Sequence, residues 1–141
     1  ANSARLELYY NGKPAILARY PNIVDSTDLF QPFLQTGKVF NSLSFDAGTS
    51  MKSRLQKWKL ESDPWMHGYW VYNWADNYVR ISKIHNDTVI DIDPSTPPAY
   101  NTVTSSARYY GVNLLCELDS PGEYYVNTAT GILSFYPPQP L

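Results

Sequence analysis

The sequence predicts an all-β protein: an antiparallel β-sandwich or distorted barrel of about eight short strands with one short helix. Three observations carry that prediction. Short apolar runs alternate with polar residues and are separated by turn-forming pairs such as Asn11-Gly12 and Asn86-Asp87. Only one octet, Met51–Trp58, has helical spacing. The stretch Asp63–Tyr78, DPWMHGYWVYNWADNY, holds three of the four tryptophans and three of the twelve tyrosines, residue types that favour strands.

Arg5–Tyr10 alternates in the strand manner, Asn11-Gly12 is the strongest short hairpin signal, and Ala15–Tyr20 returns from it. Pro14 opens the returning strand, where a missing N–H does least harm. Tyr20-Pro21-Asn22 ends it, because the residue before a proline is held extended. Residues 23–38 mix Asp, Ser, Thr, Gln, Pro and Gly without periodicity, which predicts a long loop with one helical turn. Val39–Phe45 is the next strand. In Met51–Trp58, Met51, Leu55 and Trp58 share one face while Lys52, Arg54 and Lys57 fill the solvent side, with Thr49 or Ser50 as cap. Pro64 stops any helical continuation.

If the aromatic stretch is extended, its side chains alternate between faces. Trp70, Tyr72 and Trp74 then stand in a row, with Trp65, His67, Tyr69 and Val71 on the other side. Either both faces are buried, or one is buried and the other is a stacking platform for a ligand. Tyr78–Ile84 and Thr88–Ile92 follow across short turns and complete a three-stranded antiparallel meander. Residues 93–106, with Pro94, Pro97 and Pro98, predict an irregular connection. Ala107–Val112 is a further strand and Asn113–Leu118 a single helical turn. Glu123–Val126 and Gly131–Tyr136 form a closing hairpin, and Pro137–Leu141 is a stiff, extended exit.

A chain of 141 residues suits one domain with a real core. Charged residues are only 17% of it, against roughly 25% in ordinary soluble domains. The net charge is −2 with no Lys/Arg run, so the electrostatic footprint of a nucleic-acid binder is missing. No apolar run approaches the ~20 residues of a membrane span. The N-terminus has no signal-type hydrophobic region, which leads us to expect a targeting segment already removed or part of a longer parent. Cys116, beside Leu114, Leu115 and Leu118, reads as a small buried hydrophobe. Asn86-Asp87-Thr88 matches a glycosylation acceptor and marks a surface turn.

For chemistry, His67 has no partner at metal-ligand spacing and His85 lies on a separate turn, so no metal or cofactor is expected. His67 reads as a satisfied, half-buried histidine. Glycoside hydrolysis usually needs two carboxylates across a cleft. Asp76 and Glu123 are the candidates, each with a structural alternative: Asp76 as turn cap or partner of Arg80, Glu123 as turn cap. Trp65, Trp70, Tyr72 and Trp74 serve either core packing, stacking on sugar rings, or packing on a parent domain. In the sugar case His67 joins them, and Arg19, Asn73 or Asp76 hydrogen-bond hydroxyls. One ring face on an indole covers ~50–100 Å², worth about 1–3 kcal/mol. Two such platforms make a weak site, millimolar to micromolar.

Three blocks, LELYYNGKPAILARYPN (Leu6–Asn22), DPWMHGYWVYNWADNYVRI (Asp63–Ile81) and ARYYGVNLLCELDSPGEYYVNTATGILSFYPP (Ala107–Pro138), occur in an order that resembles the insertion domain of right-handed parallel β-helix proteins of the glycoside hydrolase family 141 type. The resemblance covers nearly all of the chain. It departs at Asn73, where an acid is usual, and at Tyr20 and Tyr124, where tryptophan is usual. It implies that residues 1–141 are a single β-sandwich-like insertion domain with no catalytic residue of its own, the catalytic carboxylates lying on the flanking β-helix. Activities described for that family include α-L-fucosidase and xylanase. The implied role is a non-catalytic accessory module that packs on the catalytic helix and helps wall the glycan cleft. The alternatives are an autonomous carbohydrate-binding module and a structural spacer. Implied partners are the parent β-helix domain and a plant or microbial polysaccharide, not nucleic acid or membrane; the implied location is extracellular or periplasmic.

Overall fold

The computed structural model describes residues 6–25, 27–28 and 31–139. The chain begins with β1 (Tyr9–Tyr10), β2 (Lys13–Pro14), β3 (Ile16–Leu17) and β4 (Arg19–Tyr20). Next come β5 (Leu34–Gln35), β6 (Val39–Asn41), β7 (Ser44–Asp46) and the helix α1 (Lys52–Trp58). β8 (Trp65–Tyr69), β9 (Asn77–His85) and β10 (Val89–Ile92) form the meander. β11 (Arg108–Val112), β12 (Glu123–Asn127) and β13 (Ile132–Phe135) complete the chain. The all-β class with one short helix holds, in more and shorter strands than the sequence suggests.

The main sheet runs β4-β11-β8-β9-β10-β7-β6, with β5 also paired to β11. A second sheet, β13-β12-β3, lies beside it, and β1-β2 is a separate hairpin. Every pairing is antiparallel except β3 with β12. The Asn11-Gly12 turn forms with positive φ at both residues (51° and 74°), the backbone that a two-residue hairpin demands. The returning strand, by contrast, breaks into three: β2 answers β1, β3 crosses to β12, and β4 joins β11.

One face of the main sheet carries the larger core. Met66, Trp70, Val79, Ile90, Tyr109 and Phe45 meet Met51, Leu55 and Trp58 of the helical segment. Two glycines admit the indoles. A Cβ on Gly68 would come within 2.7 Å of Trp70, and one on Gly111 within 2.5 Å of Trp58. The other face packs Trp65, Tyr110 and Val112 with Tyr78 of β9 and with Leu17 and Phe33. Both faces are therefore covered, which is the sandwich-like character.

Several local expectations are corrected. Val39–Phe45 is not one strand: Leu43 N–H turns back to Asn41 Oδ1 (2.9 Å), and β6 and β7 pair as a hairpin. Neither Thr49 nor Ser50 caps α1 with its side chain; a 3₁₀ turn, Thr49–Met51, leads into it instead. In 23–38 the described residues include β5 and a hydrogen-bonded turn (Asp28 N–H to Asp25 C=O, 3.1 Å), while residues 26, 29 and 30, on which the expected helical turn also falls, lie outside the described residues. Cys116 is exposed, not buried, because the 3₁₀ turn Leu115–Glu117 rolls Glu117 inward in its place. Arg5, Pro140 and Leu141, at the ends of two expected segments, lie outside the described residues. Among the described residues no helix is long and apolar enough to cross a membrane.

Candidate functional site

β8 places Trp65, His67 and Tyr69 on one face, as alternation requires, and pairs with β11 and β9 on its two edges. Trp65 is buried, its indole N–H donating to Asp63 Oδ1 at 2.8 Å. Trp70 is fully buried against Phe45 and Tyr109, its N–H reaching the Asn77 carbonyl at 3.3 Å. Both indoles are framework, and neither offers a face to an outside ligand. The expected row of Trp70, Tyr72 and Trp74 does not form. Ladder pairing on β8 ends at Gly68 and Tyr69, and residues 70–76 turn.

That turn carries Tyr72 and Trp74 outward. Their rings stack with centroids 5.2 Å apart and planes at 7°. Tyr100, from the irregular connection, stands at 84° to Tyr72 and 89° to Trp74. All three are open to solvent, Trp74 at 71% exposure. Two clasps hold the loops together. Thr104 donates to the Trp70 carbonyl through its N–H (3.0 Å) and its hydroxyl (2.7 Å). The Asn77 side chain donates to Pro97 O and accepts from Ala99 N–H, both at 2.9 Å.

Beneath the loop, His67 Nε2 lies 2.5 Å from Asp76 Oδ2 and Nδ1 2.7 Å from the Tyr110 hydroxyl. With the carboxylate accepting from Nε2–H, Nδ1 accepts from Tyr110, the arrangement of a neutral ring. His67 is nearly fully buried and stacks on Tyr78. Burial lowers its pKa, although the hydrogen bond and charge of Asp76 pull it up. Asp76 therefore ties the platform loop to β8. It does not pair with Arg80, which binds Asp63 at 2.9 Å and Asp93 at 3.6 Å.

Arg19, expected to meet sugar hydroxyls, is buried at 2% exposure. Its guanidinium donates to the Pro21 and Pro32 carbonyls at 2.7 Å and lies 3.7 Å over the Tyr110 ring. It forms the floor of a separate groove of about 500 Å³ beside the N-terminal hairpin, walled by Leu8, Leu17, Tyr78 and Tyr124. Glu123 is likewise buried: its carboxylate accepts backbone N–H groups from Arg19, Asp119 and Ser120. That is the turn-capping role. Burial nonetheless pushes its pKa up to about 7. No group of three or more metal-ligating side chains occurs among the described residues.

Sequence reasoning missed Tyr100, which carries no periodic signal in a proline- and threonine-rich segment. The surface that emerges is Tyr72, Trp74 and Tyr100; Asn73, between the two stacked residues in the chain, accepts from Arg108 Nη2 at 3.4 Å, and that guanidinium lies over the Phe33 and Tyr69 rings.

No family model matches the chain, and no curated protein matches it. Among solved structures it is similar to a chain described as a glycoside hydrolase, with a TM-score of 0.65 and 20% identity. The likeness covers 94% of this chain and 24% of that one. At that identity it establishes the fold, and this chain spans about a quarter of that protein's length.

Proposed function

We propose that the chain is a non-catalytic accessory module of a carbohydrate-active protein, of the kind inserted into right-handed parallel β-helix proteins of the glycoside hydrolase family 141 type. There it packs on the catalytic helix and helps wall the glycan cleft, outside the cytoplasm. The observation that carries this reading is the match of 94% of the chain to only 24% of a glycoside hydrolase. The three ordered sequence blocks support the finer assignment. The carboxylates support catalysis lying elsewhere: Glu123 is buried on backbone donors and Asp76 is engaged by His67. The exposed Tyr72–Trp74 stack favours a second reading, carbohydrate binding by the module itself.

The gene tests the first reading directly. Sequence flanking residues 1 and 141 is expected to encode β-helix coils on both sides; a reading frame that stops at both ends would overturn it. The purified chain is expected to release no reducing sugar from xylan or fucosylated polysaccharide. Release that disappears in Asp76→Asn would make the chain a hydrolase instead.

A further inference from the structure

Tyr72, Trp74 and Tyr100 make a corner rather than a box. The first two rings stack on one another, so one face of the Trp74 indole is covered and the other is open, in keeping with its 71% exposure. Tyr100 crosses the edges of both at nearly a right angle. The corner is set before any ligand arrives, because Thr104 and Asn77 clasp the two loops that build it. Tyr100 and Asn101 also hold left-handed backbone, φ 65° and 59°, which non-glycine residues adopt only at a cost. Tyr100 is thus held against the stack by specific bonds, not by the default geometry of a loop.

We propose that this corner binds the C–H face of a neutral pyranose on the open face of Trp74, with Tyr100 bracing the stack from its side. The proposal deepens the glycan-facing role given above and rests on it. A pyranose presents an apolar face of C–H groups and an equatorial belt of hydroxyls, which an indole face with polar groups at its edge complements. Asn73, the chain neighbour of both stacked residues, carries an amide that can donate to hydroxyls while its Oδ1 accepts from Arg108. A nucleobase, which also stacks on indole, fits worse: it brings phosphates, and the chain has net charge −2 and no Lys/Arg run.

The experiment titrates the 141-residue chain with cellohexaose, xylohexaose and mannohexaose, read by tryptophan fluorescence and by NMR. A single stacked face of ~50–100 Å² sets the expected dissociation constant in the millimolar range. Trp74→Ala and Tyr100→Ala, both at exposed positions and checked for folding by near-UV circular dichroism, are each expected to weaken binding about tenfold. Trp74→Phe is expected to restore part of it. Oligosaccharide bound equally well by both alanine variants would overturn the corner while leaving the glycan-associated reading intact. No binding of any of the three by the folded chain would also overturn it. Binding of an oligothymidylate that disappears in Trp74→Ala would replace the sugar by a base. The flanking-sequence test stands or falls independently of all three.

Discussion

Arg54 reaches from α1 to both oxygens of Glu117, at 2.8 and 2.6 Å, and the Trp58 indole N–H donates to the same carboxylate at 2.9 Å. Glu117 is 1% exposed. The guanidinium also lies 3.5 Å over the Tyr20 ring of β4. One carboxylate thereby fastens the helix to the 3₁₀ turn after β11, and a charge stripped of water is matched by charge-assisted donors.

Removing that carboxylate leaves the buried Trp58 N–H and the Arg54 guanidinium without it. Breaking a buried pair costs about 3–5 kcal/mol. Arg54 is 34% exposed, so Glu117→Ala is expected near the lower end, about 3 kcal/mol. Glu117→Gln keeps one acceptor oxygen and is expected to lose roughly half of that. Urea denaturation measures both; a loss below about 0.5 kcal/mol in Glu117→Ala would show that the clasp contributes no stability.

Glu123 and His67 give stability opposite dependences on pH. The folded chain holds the Glu123 proton up to about pH 7, against a reference of 4.5, because of burial. Its contribution to stability is full below 4.5 and is lost as pH rises through 7. His67 is lowered from 6.5 by burial, so the unfolded chain takes that proton first and stability falls as pH drops below 6.5. Between 4.5 and 6.5 the two slopes oppose. His67→Gln is expected to leave a stability that declines as pH rises from 4.5 to 7. Glu123→Gln is expected to leave one that declines as pH falls below 6.5, on a lower baseline, because its amide faces the Arg19 N–H. Urea midpoints across that range give both slopes, and slopes of the same sign would contradict the assignment.

Tyr109 packs its ring on Phe45 (5.2 Å) and Trp70 (5.9 Å) at 0% exposure, yet its hydroxyl has no hydrogen-bond partner among the described residues. An unpaired buried hydroxyl costs about 1–3 kcal/mol. Tyr109→Phe keeps the ring contacts and is expected to be neutral or stabilising by up to about 1 kcal/mol. A thermal midpoint that falls by several degrees would reveal a bond that the hydroxyl makes.

What the sequence revealed was local. Alternation placed Trp65, His67 and Tyr69 on one face, and helical spacing put Met51, Leu55 and Trp58 in the core. It failed where distant chain decides. The pattern through Trp70, Tyr72 and Trp74 continues past Tyr69 in the sequence, but the ladder partners on β9 and β11 run out there. Tyr100 meets the stack through bonds between distant residues, among them that of Asn77 Oδ1, 22 residues before Ala99, with the Ala99 N–H. Arg19 looked available for hydroxyls because nothing nearby in sequence shows that the Pro32 carbonyl takes its donor. Glu117 and Arg54 are 63 residues apart, with no motif linking them.

Gly111 illustrates the same dependence in a form that can be cut. Its φ is not positive, so the demand for glycine is steric. An added Cβ would lie 2.5 Å from Trp58 Cη2 and 2.8 Å from Leu114 Cδ1. Trp58 cannot swing aside without releasing Glu117, which its N–H holds at 2.9 Å. Gly111→Ala is therefore expected at the upper end of overpacking costs, about 3 kcal/mol. Gly12→Ala, where a Cβ meets nothing within 4 Å but φ is 74°, is expected to cost only about 1 kcal/mol. Trp58→Phe removes the outer indole ring that the new methyl would strike. In a double-mutant cycle, Gly111→Ala should then cost about 1–2 kcal/mol less in the Trp58→Phe background than in the native one, since the residues share one contact. Additive losses would place the strain of Gly111→Ala against Leu114 and the sheet, and would remove the indole as the reason for glycine at this position.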